Sequence, residues 1–125
     1  MITKIVTSKS TENKTVELQN MLGLSTKAAV LRIALAYSLK SGTKLKKDFC
    51  LSSDGAAYST QTVFSDKLQI VENMILVHEE GELSDNEINL CVNYYIENGI
   101  DKLFAKNALL HNKEKFIKYL LEARF

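Results

Sequence analysis

Residues 23–42, G-L-S-T-K-A-A-V-L-R-I-A-L-A-Y-S-L-K-S-G, decide how this chain is read. Ser25 or Thr26 can accept the first free N–H groups of a helix, and Gly42 offers a left-handed stop at its far end. Between them Ala28, Leu31, Leu35 and Leu39 recur at helical spacing, with Ile33 and Tyr37 widening the apolar face. One permanent charge, Arg32, interrupts the run. A helix packed into a core does not hold an unpaired arginine. Arg32 therefore either braces the helix against a carboxylate, such as Glu17 or an acid of the C-terminal half, or reaches outward to a phosphate. The nearby apolar positions favour the brace.

Toward the N-terminus, residues 2–8 (I-T-K-I-V-T-S) are rich in β-branched types and predict one short strand. Ile5 and Val6 are adjacent, so neither face is cleanly apolar. A lone strand leaves its backbone unpaired and must find another element or another chain. Ser10 or Thr11 can cap a first helix running to about Met21, with Glu12 near its positive end. Leu18, Met21 and Leu22, with Val16 alongside, supply its buried stripe, and Gly23 breaks it.

Toward the C-terminus, residues 43–65 lack periodicity, and Asp54 with Gly55 marks a turn. A third helix is expected over 66–80, with Leu68, Val71, Ile75 and His78 on one stripe and Gly81 as its stop. Ser84, Asp85, Asn86 and Glu87 spell a capping box. It opens a fourth helix with Ile88, Cys91, Val92 and Tyr95 inward, stopping near Asn98 and Gly99. A short helical stretch over 100–106 and an amphipathic helix over 113–122 follow, the latter using Phe116, Ile117, Leu120 and Leu121. With no proline and five glycines, the fold class is all-α: a short N-terminal strand plus about five helices. At 125 residues one domain is expected, large enough to need no disulfide or metal.

No apolar run reaches about 18 residues, so no membrane span is expected, and residues 1–10 turn polar too soon for a signal peptide. Cys50 and Cys91 are far apart and form no C-x-x-C motif, which fits reduced thiols in a cytoplasmic protein. His78 lies on an apolar stripe and reads as structural, while His111 reads as solvated. Glu79, Glu80, Glu82, Asp85 and Glu87 form an acidic cluster without the ligand rhythm of a calcium loop. A solvated turn beside a helix N-terminus explains them. There is no glycine-rich phosphate loop and no G-x-S-x-G motif. No catalytic residue, cofactor or metal is expected, and hence no enzyme acting alone.

The net charge of +1 conceals a division. Residues 1–50 carry nine Lys or Arg against three acids, a balance of +6, whereas residues 51–125 carry seven against twelve, a balance of −5. Lys4, Lys9 and Lys14 surround the strand and the first helix, and Lys27 starts the second, where free N–H groups already favour a phosphate. Lys40, Lys44, Lys46 and Lys47 follow that helix. With Arg32 these are the candidate DNA-binding residues. Lysines without interleaved aromatics suit duplex backbone more than single strands. The alternative is that they keep the protein soluble or match its own acids, within the fold or across an oligomer.

Strand, helix, glycine turn and capped helix form the order of a ribbon–helix–helix unit, in which the strand pairs with its copy from a second chain. The whole chain adds a more specific likeness. Gly23 and Leu24, then Arg32, Ile33 and Ala34, then Ser38, Leu39 and Gly42, resemble the core pattern of the DndE family of the bacterial DNA phosphorothioation system. The likeness continues through Asp54 and Gly55 and through Thr62, Val63 and Phe64 to Y-I-E-N-G-I at 95–100. It covers about residues 10–105. Tyr95 departs from it, standing where the family tends to show histidine, and the turn before the second helix lacks the family's proline and asparagine.

The resemblance implies an all-helical homo-oligomer, a tetramer, that binds DNA with a preference for nicked duplex. It also implies larger sulfur-transfer and ATPase subunits as partners, and no chemistry in this chain itself. Family lysines do not align position by position, so the candidate lysines rest on charge. Two rivals stay open at this stage: a ribbon–helix–helix repressor or antitoxin, and a protein-binding adaptor without nucleic acid.

Overall fold

The computed structural model describes residues 2–46 and 48–107. Strand β1 (Ile5–Val6) leads into α1 (Lys9–Leu22) and α2 (Lys27–Lys40). After an irregular stretch come β2 (Ala57–Tyr58), α3 (Thr60–Phe64), a 3-10 turn (Ser65–Lys67), α4 (Leu68–Glu79) and the long α5 (Asp85–Asn107). The chain is thus mostly helical, as its composition predicts, with one two-stranded sheet. The helix expected over 113–122, together with His111 and Lys47, lies outside the described residues.

Local chemistry explains most helix ends. Ser8, rather than Ser10 or Thr11, caps α1: its Oγ accepts the Thr11 N–H at 3.1 Å, so the helix starts earlier than expected. Gly23 takes the left-handed conformation at φ 67°, and the Leu24 N–H returns to the Gln19 carbonyl at 3.0 Å. Thr26 caps α2 through the Ala29 N–H at 3.2 Å, and α2 leaves α1 at 99°. Gly42 closes α2 at φ 77°, with the Thr43 N–H on the Ser38 carbonyl. The capping box forms in full: the Ser84 N–H donates to Glu87 Oε1 at 3.0 Å, and the Glu87 N–H donates to Ser84 Oγ at 3.2 Å.

Three further expectations about the helices change. Helix α4 ends on Glu80, whose φ of 59° makes it the left-handed residue in place of Gly81. Val16 stays 40% exposed instead of joining the buried stripe of α1, whose inward residues are Thr11, Thr15, Leu18 and Leu22. Most consequentially, α5 does not stop at Asn98 and Gly99 but runs on to Asn107. Gly99 is helical and buried, and it allows α5 to press directly on the backbone of α2 at Ala34.

The core forms where α2 lies along α5. Leu31, Ala34, Cys91, Val92, Tyr95 and Ile100 are all fully buried, closed by Leu18, Val63 and Ile75. Ser38 is buried with them; its Oγ donates to the Tyr95 carbonyl at 2.6 Å and accepts from Asn98 Nδ2 at 3.1 Å. The Tyr95 hydroxyl donates to Glu79 Oε2, and its ring meets His78 edge-on at 5.5 Å. His78 is thus a packed residue, its Nε2 beside the Thr43 carbonyl. Both cysteines are free, Cys50 exposed and Cys91 buried. Burial pushes the Cys91 thiol up to about 12.

The strand solves its pairing problem inside the chain. β1 pairs antiparallel with β2, Ile5 opposite Tyr58 and Val6 opposite Ala57. Gly55 closes the connection: its N–H donates to the Thr7 carbonyl at 2.9 Å, and an added Cβ there would lie 2.4 Å from the Ser8 carbonyl oxygen. The other edge of β1 is taken by side-chain amides of α5. Asn89 Oδ1 accepts the Thr3 and Lys4 N–H groups at 2.9 and 3.0 Å. Asn93 Oδ1 accepts the Val6 N–H at 2.8 Å, and its Nδ2 donates to the Lys4 carbonyl at 2.7 Å. A ribbon shared with a second chain needs an open edge, and β1 has none. The order strand, helix, helix is observed, but the strand pairs with β2 and with two asparagines of its own chain.

Candidate nucleic-acid interface

Eight of the nine candidate cations, all but Lys47, are described, and they separate into three groups. Lys14 and Lys27 are engaged by carboxylates of the fold. Lys14 Nζ lies 2.9 Å from Asp101 Oδ1 and 5.7 Å from the Phe104 ring centroid. Both partners keep 30% and 49% of their side-chain surface in solvent, so the pair contributes under about 1 kcal/mol. Lys27, the first residue of α2, meets Glu12 Oε2 at 2.7 Å and stands over the Tyr58 ring at 5.8 Å.

Glu12 is the more deeply set partner and gathers several donors. Its Oε1 accepts from Thr7 Oγ1 at 2.9 Å and from the Tyr58 hydroxyl at 2.7 Å. Burial alone would raise its carboxyl, but the hydrogen bonds from Lys27, Tyr58 and Thr7 outweigh that and hold it below its ordinary value. The Tyr58 hydroxyl is pushed up by burial and by the neighbouring Glu12 carboxylate. This cluster ties β2 to the first turns of α1 and α2. The charge of Lys27 serves the fold there.

Arg32 and Lys44 form the second group, each directed to a backbone carbonyl. Arg32 Nη1 donates to the Val63 carbonyl at 2.9 Å, so the helix is braced against α3 by a carbonyl instead of a carboxylate. Lys44 Nζ donates to the His78 carbonyl at the end of α4.

The third group comprises Lys4, Lys9, Lys40 and Lys46, all exposed. Lys9 meets the irregular stretch through its backbone, where its N–H donates to Asp54 Oδ1 at 2.9 Å. That bond is the main reason the Asp54 carboxyl lies below its ordinary value. The stretch from Thr43 to Gly55 crosses α5: Asn98 Nδ2 holds Thr43 Oγ1 at 3.1 Å, Phe49 packs edge-on against Tyr94 at 5.0 Å, and Gly55 reaches Thr7. It carries Lys44 and Lys46 along a course that ends beside Lys9. Among the described residues of 43–65, irregular by sequence, contacts come from this crossing and from β2 and α3.

One cation was not legible as a candidate. Lys67, in the acidic half, lines the same recess as Arg32 between α2 and α4. Neither charge runs nor motifs connect residues 35 positions apart; only the fold does. Among the described residues no group of three or more His, Cys, Asp or Glu side chains is arranged to hold a metal ion. Among the same residues no single helix is long and apolar enough to cross a membrane.

Comparison with known proteins gives this arrangement a family. The model of the DndE family, described as DNA sulphur modification protein DndE, matches residues 4–111. The crystal structure of DndE from Escherichia coli B7A, described as involved in DNA phosphorothioation modification, is similar over 82% of this chain and 99% of that one. The TM-score is 0.67 and the identity 20%, a likeness of fold. Among curated proteins none matches. The family match spans every described element from β1 to α5, and on that ground the chain belongs to the DndE family.

Proposed function

We propose that this chain is a non-catalytic, DNA-binding accessory subunit of a DNA phosphorothioation system, working as a homo-oligomer beside the larger sulfur-modification subunits. The observation that carries the reading is its membership of a DNA sulphur modification family over residues 4–111. The exposed Lys4, Lys9, Lys40 and Lys46 support a phosphate-contacting role, and Lys44 and Lys47 share their stretch of sequence. Lys14 and Lys27 contribute little to it, because each already has a carboxylate partner. The mechanism is electrostatic: several copies align their basic surfaces on duplex phosphates, and the exposed acids face protein or solvent.

A gel shift with nicked, intact and single-stranded DNA tests the reading. Retardation of duplex, strongest for nicked duplex, is the expected result, and Lys44→Glu, Lys46→Glu and Lys47→Glu together abolish it. No shift with any of the three DNAs would overturn it. A protein-binding adaptor is the second reading, favoured by the internal pairing of Lys14 and Lys27. The repressor reading loses support because β1 has no open edge for a second chain.

A further inference from the structure

Helix α4 carries an apolar stripe that the fold does not cover. Ile70, Met74 and Val77 stand at helical spacing and are 55%, 48% and 77% exposed. They are not isolated side chains. With Leu39 of α2 they line a recess of about 470 Å³. A second recess of about 210 Å³ shares Leu39 and Met74 and extends the trough along α2 over Leu35, Phe64 and Val71.

The trough is charged in one sense only. Arg32 and Lys67 line its α2–α3 end, His78 lines the other, and no Asp or Glu is among the described residues lining it. Among the described residues Lys67 pairs with the Asp66 carboxylate, 4.0 Å away with 81% of its side chain in solvent, a weak contact. The bond to the Val63 carbonyl holds the Arg32 guanidinium in place and leaves further N–H donors for a ligand. Among the described residues the lining thus sets two cations and no acid beside an apolar floor, which selects a partner with the opposite arrangement.

We propose that this trough is the docking site of an amphipathic partner helix bearing carboxylates along one edge. Its apolar face seats on Leu39, Met74 and Val77, and its carboxylates meet Arg32 and Lys67. Concavity and a stripe at i, i+4 and i+7 fit helix-in-groove recognition. The proposal does not depend on whether this chain touches DNA.

The test uses the full chain and two labelled synthetic 18-residue helices. One has Leu at heptad spacing flanked by Glu; its twin has Lys at every Glu position. Fluorescence anisotropy is expected to show the Glu helix binding at least 10-fold tighter than the Lys helix. Arg32→Glu with Lys67→Glu reverses that preference. Val77→Asp weakens the Glu helix at least 10-fold while the thermal unfolding midpoint stays put, since Val77 is already solvated. Equal affinity for both helices, no binding of either, or a preference indifferent to the Arg32 and Lys67 changes overturns the proposal. So does a Val77→Asp variant that loses an oligomer in sedimentation yet keeps its affinity for the helix, which would assign the trough to a second copy. Displacement of the Glu helix by a synthetic peptide of residues 108–125, at lower concentration than by unlabelled Glu helix, would assign it to this chain's own segment and overturn the proposal as well.

Discussion

Gly99 of α5 lies so close to Ala34 of α2 that an added Cβ would stand 2.1 Å from the Ala34 carbonyl oxygen. Both are buried, and the crossing joins the two helices that form the core. In an exposed helix interior Gly→Ala gains up to about 1 kcal/mol. Here overpacking opposes that gain and wins, because the clash is with backbone. Gly99→Ala is expected to destabilise by about 2 kcal/mol or more in urea unfolding. Gly81→Ala, where nothing lies within 4 Å, is expected to change stability by less than about 0.5 kcal/mol. Equal effects at the two sites would contradict the close crossing.

Asn93 serves β1 as a substitute strand, through one acceptor and one donor that are both buried or nearly so. Asn93→Leu strands the Val6 N–H and the Lys4 carbonyl together. A loss of about 2–4 kcal/mol is expected, with amide exchange at Val6 accelerating. A variant as stable as the parent would show that the strand does not need the amide.

Glu12 has a folded pKa below its ordinary value, so its stabilising contribution is present above the unfolded carboxylate range and is lost as pH falls through the folded pKa. Glu12→Gln removes the ion pair with Lys27 while leaving an acceptor for Tyr58. The variant is expected to be about 1–2 kcal/mol less stable at pH 7. The gap to the parent should close as the pH drops below the ordinary range of glutamate. A gap that persists unchanged in acid would mean that the charge is not what matters.

Glu97 has the opposite sign. Burial is the main cause that raises its carboxyl, with the nearby Asp101 adding to it, against the hydrogen bond from Thr11 Oγ1 at 3.3 Å and the charge of Lys14. The native state then binds the proton more tightly than the unfolded chain. Stability falls as pH rises from the unfolded carboxylate value through the raised folded one. Glu97→Gln is accordingly expected to stabilise the protein at neutral pH and to make no difference well below the carboxylate range. Thermal unfolding across pH 3–8 checks this, and a variant less stable than the parent at pH 7 contradicts it.

Signals held within one turn of chain were legible in the sequence: the Ser84–Glu87 capping box, the Thr26 cap, the left-handed Gly23 and Gly42. So were the inward faces of α2 and α5 around Leu31 and Tyr95. What escaped needs a partner far along the chain. Ala57 and Tyr58 carry no strand signal of their own and become β2 only because Ile5 and Val6 need a ladder. A glycine that stops a helix and one that admits a neighbouring helix look alike until Ala34 is placed against Gly99. The lysines divide on the same principle. Nothing near Lys14 in sequence announces Asp101, and nothing near Arg32 announces Lys67 on the other side of a trough. Charge asymmetry was visible; which charges the fold itself consumes was not.

The salt dependence of duplex binding tests the proposed role most directly. Six lysines, Lys4, Lys9, Lys40, Lys44, Lys46 and Lys47, neutralising phosphates in the bound assembly give a log–log slope of roughly −5. Anisotropy with labelled nicked duplex between 50 and 300 mM potassium chloride (roughly a ten-thousandfold loss of affinity, by the same relation) should return that slope. A slope near zero would contradict phosphate contact and leave a DndE-family protein whose surfaces serve other proteins alone.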